Sequence, residues 1–469
     1  MTELRNVEAD LAQFRTRLLV IGLAVVFAFG LVAARMVYLQ VVRHDDLLAQ
    51  AESNRTAVLP VVPNRGQILD RYGRVLATNY SAYTLEITPS RVEDMDATIA
   101  GLGELVEVTP RDQRRFRKLL EESHRFDSLP LRTRLTDEEV ARFTAQRYRF
   151  PGVDVRARLL RQYPNGDVAS HVVGYIGRIN QRETEAIADW PEEDQANYRG
   201  TEYIGKLGAE QSYERELHGL TGFQRVETSA GGRAVRALAN TPATPGNAVV
   251  LSIDIQLQKL IEDMYGERRG ALVAIDPRSG EVLAFVSKPT FDPNLFVEGI
   301  DVENWRALNE SLDKPLLNRA LRGTYPPGST YKPFMALGAL ETGTRSASMV
   351  MNDPGYWMFG GHRFRSHGDG LGMVDMHRSI VKSSNTYYYS LANDMGVDAM
   401  HDFMKPLGFG QITGIDLRGE VRGVLPSQDW KRNTYKRPEQ QRWYPGETIS
   451  LGIGQGYNSF TMLQLAHAM

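Results

Sequence analysis

Gly323-Thr-Tyr-Pro-Pro-Gly-Ser-Thr-Tyr-Lys-Pro333 is the stretch from which the rest of the chain is read. Pro326-Pro327-Gly328 makes a stiff turn, and the apolar run Pro333-Phe-Met-Ala-Leu-Gly-Ala-Leu-Glu341 behind it reads as a helix. Ser329 therefore stands at a helix N-terminus, where a proline close behind is tolerated. At i and i+3, the Ser329 and Lys332 side chains share a face. There a lysine of depressed pKa can take the serine proton, and the helix N-terminus favours developing negative charge. Ser-x-x-Lys alone is a weak pattern. It recurs at Ser311/Lys314 and Ser379/Lys382, and only the Ser329/Lys332 copy lies at a turn-to-helix junction.

Working outward, Ser383-Ser-Asn385 precedes an aromatic-rich helical run (Thr386-Tyr-Tyr-Tyr-Ser-Leu-Ala392). A second serine can relay a proton to a leaving amine, and Asn385 can hold a substrate amide or position the lysine. Upstream, Ala271 to Ser287 reads as two apolar strands around Asp276-Pro-Arg-Ser-Gly280, a hairpin turn. Asp254 to Met264 reads as a helix, with Ile255, Leu257, Leu260 and Ile261 at near-helical spacing. Asn240-Thr-Pro-Ala-Thr-Pro-Gly246 has linker chemistry and sets a domain boundary.

Taken in order, Ser-x-x-Lys then Ser-x-Asn resembles the signature of serine D,D-peptidases and class A β-lactamases. Arg65-Gly-Gln-Ile-Leu-Asp-Arg-Tyr-Gly-Arg-Val-Leu-Ala-Thr-Asn79 is similar to a segment of the class B, single-span penicillin-binding proteins. His171-Val-Val-Gly-Tyr-Ile-Gly-Arg-Ile-Asn180 and Tyr203-Ile-Gly-Lys-Leu-Gly-Ala-Glu-Gln-Ser-Tyr-Glu-Arg-Glu-Leu-His-Gly219 resemble the cell-elongation branch of that class. The resemblance covers nearly the whole chain. It implies an α+β fold with an elongated non-catalytic pedestal (44–246) and a penicillin-binding, β-lactamase-like transpeptidase domain (247–469). Ser329 would be the acylated nucleophile, Lys332 its base, and Ser383 and Asn385 the second motif. The implied reaction cross-links peptidoglycan stem peptides at D-Ala-D-Ala, and β-lactams would trap the same serine. A glycan polymerase of the SEDS family is the implied partner, and no cofactor is implied. The family's third motif, Lys-Thr/Ser-Gly, does not occur in the sequence. The transpeptidase domain is thus expected to be incomplete. The hairpin at 271–287 is expected to have an open apolar edge, and a protein of only these 469 residues to be inactive or poorly folded. Two alternatives follow: a membrane-tethered scaffold without activity, or a penicillin-sensing or hydrolysing relative.

Leu18 to Ala34 is 17 uncharged residues, and the apolar run resumes past Arg35 to Val42. A span needs about 20 residues, and Arg35 can snorkel from near one end. Apolar residues continue past Val32-Ala33-Ala34, which favours an uncleaved anchor over a signal peptide. Arg5, Arg15 and Arg17 precede it, so residues 1–17 are expected in the cytoplasm and the body across the inner membrane, in the periplasm. The 469 residues contain no cysteine, which excludes disulfides, thiolate metal sites and a cysteine nucleophile. A net charge of −2 argues against nucleic acid as a partner. Arg111 to Arg161 carries 14 Lys+Arg against 8 Asp+Glu, either a solvated face or a surface for an acidic polymer. Asp353, His362, His367, Asp369, Asp375 and His377 lie within 25 residues, but their spacing fits no metal motif, and polar loops account for them. Gly452-Ile-Gly-Gln-Gly456 lacks the Lys-Ser/Thr of a phosphate loop.

Overall fold

The computed structural model describes residues 7–48, 56–122, 128–228 and 234–469. Arg5 and residues 123–127 of the basic stretch lie outside them. The apolar run forms the helix Val7–Val37, continued by a wider turn at Tyr38–Val42. Phe14–Val42 is long and apolar enough to cross a membrane, with a mean hydropathy of 2.4 and none of its apolar window buried. The Arg35 guanidinium turns back over the Tyr38 ring, 5.3 Å from its centre.

Two compact units are present. One comprises Met1–Pro63, Ala196–Gly200 and Leu220–Thr244. It holds the anchor helix and an antiparallel sheet in which Thr56–Val61 pairs with Gly222–Thr228, and that strand with Ala234–Thr241.

The other unit comprises Asn64–Gln195, Thr201–Gly219 and Pro245–Met469. Its largest sheet is built on the long strand Val75–Ile87, which pairs antiparallel with Leu129–Leu135 and Val153–Gln162. Through Ile68–Leu69 it also reaches Val249–Val250, which runs parallel to that short strand. The turn into the long strand is tied by Asp70, whose buried carboxylate accepts from the backbone N–H of Tyr72 (2.9 Å) and Arg74 (2.8 Å). Among the described residues, three cores fill the unit. One lies around Leu85, Phe116 and Phe143, and one around Ile68, Leu217, Phe285 and Leu321. The third lies around Tyr331, Tyr387, Tyr388, Phe409 and Phe460.

The expected hairpin is formed by Gly270–Ile275 and Val282–Lys288, turning at Asp276, whose carbonyl accepts from Gly280 N–H at 2.8 Å. Among the described residues these two strands pair only with each other. The expectation of an open edge needs correction on the Val282–Lys288 side. There the helix Ile255–Tyr265, capped by Asp254, lies alongside, and Gln258 behaves as a one-residue strand. Its carboxamide accepts from Phe285 N–H (2.8 Å) and donates to Phe285 C=O (3.0 Å). Asp254 N–H and Ser252 Oγ occupy the carbonyls of Leu283 and Val282 at 2.9 Å each. The helix therefore buries Gln258 and Glu262 and leaves Leu260 57 % exposed, because the strand edge needs hydrogen-bond partners more than it needs leucine.

The Arg65 and Tyr203–Gly219 segments meet in one buried ion cluster. Arg65 donates to Glu210 (2.6 Å) and Glu214 (2.7 Å). Arg161 donates to the other Glu210 oxygen (2.7 Å) and to Gly66 C=O (2.7 Å), and the Tyr163 hydroxyl adds a third bond to Glu210. Burial pushes the Glu210 pKa up, but Arg161 and Arg65 outweigh it and hold the carboxyl below its ordinary range. Part of the basic stretch is paired with carboxylates of the fold: Arg132 with Asp112, Arg115 and Arg134 with Glu298, and Arg158 with Glu86, while Arg114, Arg117, Lys118, Arg142, Arg147, Arg149 and Arg156 are exposed. A minority of the arginines in that stretch thus builds the fold, and the exposed ones form a solvated face. Removing one member of a buried pair leaves an uncompensated charge. Arg161→Ala should therefore lower the unfolding free energy by about 3–5 kcal/mol. Denaturant melts of wild type and variant measure this, and a loss below about 1 kcal/mol would contradict it.

Candidate active site

Ser329 lies in Gly328–Tyr331, a single tight turn that runs into the helix Lys332–Glu341. Gly328 has φ +60°, a conformation costly for residues with a Cβ. Its N–H donates to Gly454 C=O at 3.0 Å, and Tyr325 and Phe460 exchange backbone bonds of 2.8 and 2.9 Å. A Cβ on Gly454 would lie 2.3 Å from the Gly328 carbonyl oxygen, so only glycine fits there. The glycine-rich 452–456 segment is therefore the brace behind the serine. Beneath the turn, Tyr331 packs on Phe409 and Phe460, with ring centres 5.5 and 5.9 Å apart. Ser329 is left exposed while Lys332, one helical turn on, is 1 % exposed.

The structure brings the four expected residues together. Lys332 Nζ donates to Asn385 Oδ1 (2.7 Å), Ser383 C=O (2.8 Å) and Ser383 Oγ (3.0 Å). These acceptors take all three protons of an ammonium. Ser383 Oγ donates to Ser329 Oγ at 2.9 Å. The spacing alone placed Lys332 beside Ser329; in space Ser383 stands between them, and the path from hydroxyl to amine has two hydrogen bonds. Ser383 adopts φ +54°, which for a residue with a Cβ costs on the order of 1–2 kcal/mol. That conformation turns both its carbonyl and its hydroxyl toward the lysine. Burial lowers the Lys332 pKa to about 8, and the nearby Asp353 carboxylate opposes the shift.

The other two Ser-x-x-Lys pairs do different work. Ser379 is buried and donates to Met376 C=O, and Ser311 Oγ accepts from Asp313 N–H in a loop. The six acidic and histidine residues between 353 and 377 do not converge, and no group of three or more such side chains able to hold a metal exists among the described residues. Asp375 caps the helix Met376–Val381, His362 packs its ring on Phe364, and Asp353 is buried against Ser384. Sequence reasoning passed over Ser384 and Gly454. Ser384 sits inside the Ser-Ser-Asn stretch and directly before a helix, so its capping role was readable there. Gly454 depends on a contact across 126 residues and left no local mark.

Comparison with known proteins agrees with this geometry. The Penicillin-binding Protein dimerisation domain matches residues 60–251, and the Penicillin binding protein transpeptidase domain matches residues 270–469. The peptidoglycan D,D-transpeptidase MrdA of Escherichia coli (strain K12) is 41 % identical over 468 residues, covering 99 % of this chain and 73 % of the relative. Among solved structures, the complex between penicillin-binding protein PBP2 and MreC from Helicobacter pylori superposes with a TM-score of 0.75 at 27 % identity, covering 87 % of this chain and 75 % of that one. A peptidoglycan synthase complex, described as coordinating polymerization and crosslinking, superposes with a TM-score of 0.65 at 30 % identity, covering 96 % and 76 %. With both domains matched and a relative at this identity aligned over 99 % of the chain, the chain belongs to the penicillin-binding protein transpeptidases, as a serine-type peptidoglycan D,D-transpeptidase of the MrdA (PBP2) kind.

Proposed function

We propose that Ser329 is the acylated nucleophile and that Lys332, acting through Ser383, is its base. The observation that carries this is the continuous chain from Ser329 Oγ through Ser383 Oγ to a buried lysine whose pKa is lowered to about 8. In the ammonium form, protons point from lysine toward Ser329. When Lys332 is neutral the direction reverses. Ser329 Oγ then bonds to the D-Ala-D-Ala carbonyl carbon, its proton passes to Ser383, and the Ser383 proton passes to Nζ. The C–N bond breaks, the relay returns the proton to the leaving amine, and D-alanine departs. An amine from a second stem peptide attacks the ester, gives up its proton along the same path, and frees Ser329. Asn385 holds Nζ in line throughout. A β-lactam opens its ring on the same oxygen and stays as an ester.

The domain arrangement we propose is a cytoplasmic tail at 1–17, an anchor at 18–42, a pedestal at 44–246 and a transpeptidase domain at 247–469. The anchor would sit in the inner membrane with the body in the periplasm, supported by Arg15 and Arg17 ahead of the apolar run. The likeness to a synthase complex supports a SEDS-family glycan polymerase as partner and cell-wall elongation as the setting.

Two measurements on the detergent-solubilised full-length protein test the site. Fluorescent penicillin should label wild type on the tryptic peptide containing Ser329 and leave Ser329→Ala dark; labelling of the variant would refute the assignment. The acylation rate should rise about tenfold per pH unit below pH 8, as Lys332 loses its proton, and level off above it. A flat profile from pH 6 to 9 would rule out Lys332 as the base.

A further inference from the structure

Asp353 ends the short strand Met351–Asp353, opposite Gly372 of its neighbour, and is 1 % exposed. A buried carboxylate is tolerated only where donors meet it, and both of its oxygens are met. Oδ1 accepts from Gly355 N–H at 2.8 Å, and Oδ2 accepts from Ser384 Oγ at 2.5 Å. Ser384 is the N-cap of the helix Asn385–Met395, where its hydroxyl oxygen accepts from Tyr387 N–H at 3.1 Å. Its own N–H donates to Ser379 C=O at 2.9 Å. On either side of Ser384 stand the residues that hold the lysine, Ser383 and Asn385.

The Ser383 conformation is a strained one, and something must keep it from relaxing. Its N–H is tied back to Ile380 C=O at 3.0 Å, which fixes one side. On the other side its carbonyl and hydroxyl accept from Lys332 Nζ, and the chain passes into Ser384, whose hydroxyl proton is held by Asp353. We propose that Asp353 is a positioning residue for acylation, locking the Ser383-Ser384-Asn385 turn through the Ser384 hydroxyl so that Ser383 Oγ stays between Ser329 and Lys332. This rests on the reading of Ser329 as nucleophile. Asp353 touches neither Ser329 nor the lysine amine; it acts at one remove, from a strand that enters the site 30 residues before the turn it holds.

The test is saturable acylation of the full-length protein by a fluorescent penicillin, separating the rate constant at saturation from the apparent dissociation constant. Asp353→Ala should lower the rate constant roughly 10- to 100-fold and change the dissociation constant by less than about threefold, since displacing a reacting group by an ångström costs that much. Ser384→Ala should match it, and the double variant should be no slower than either single one, because both remove the same bond. A merely structural role would instead lower the melting temperature and leave the rate constant of the folded fraction at the wild-type value, and that result overturns the proposal. So would additive losses in the double variant, or a wild-type rate that falls on treatment with a chelator, which would make a metal ion the lock. Ser329→Ala keeps the two claims apart. If it still labels, the nucleophile assignment falls. If it is dark while Asp353→Ala acylates like wild type, only the positioning role falls.

Discussion

A buried ammonium with three hydrogen-bond acceptors, none of them a carboxylate, is the constraint on which the site depends. Dehydrating Lys332 moves its pKa from 10.5 to about 8, a cost of about 3 kcal/mol at neutral pH. The same shift makes the amine a usable base near pH 7, with roughly a tenth of it neutral there. Because the folded pKa lies below the unfolded one, the unfolded chain binds more proton between about pH 8 and 10.5. The stability linked to this group therefore rises with pH across that window. A direct ion pair would have held the lysine more tightly and raised its pKa, defeating its purpose. Asp353 sits at the compromise: near enough to oppose part of the shift, with its oxygens turned to Ser384 and Gly355 instead.

The surrounding architecture can be read as support for that lysine. The helix Lys332–Glu341 delivers it on the face opposite solvent, over a floor of Tyr331, Phe409 and Phe460. The Gly454 contact and the Tyr325–Phe460 bridge fix where the helix begins. The aromatic run Tyr387–Tyr389 is buried and forms the wall behind Asn385, with the Tyr388 ring centre 5.6 Å from the ammonium. Further away, the Arg65–Glu210–Arg161–Glu214 cluster ties segments 145 residues apart in sequence. It joins the pieces of the upstream half that carry the family resemblance.

How much of this the sequence disclosed follows from the range of each interaction. The turn-to-helix junction at Ser329, the cap at Asp254 and the hairpin at Asp276 are local, and residue chemistry over a few positions specifies them. The pairing of Ser329/Lys332 with Ser383/Asn385 was legible only through the order of motifs, since nothing in local chemistry brings them together. Gln258 was not legible. Apolar spacing disclosed the helix Ile255–Tyr265 but not its inward face, which a strand edge with unpaired backbone groups set by drawing Gln258 inward. Asp353 was legible as chemistry and not as role. Set among histidines and aspartates whose spacing fits no metal motif, it read as one more polar loop residue, and only the fold shows its oxygens facing a hydroxyl and an amide.

The measurement that bears most directly on this account is the ionisation of Lys332 itself, by NMR titration of protein labelled with carbon-13 at the lysine ε position and assigned against Lys332→Met. The account predicts a midpoint near pH 8, well below the other lysines. A midpoint at the ordinary lysine value near 10.5 would mean that the ammonium persists through the working range, and the relay through Ser383 would have no base at its end.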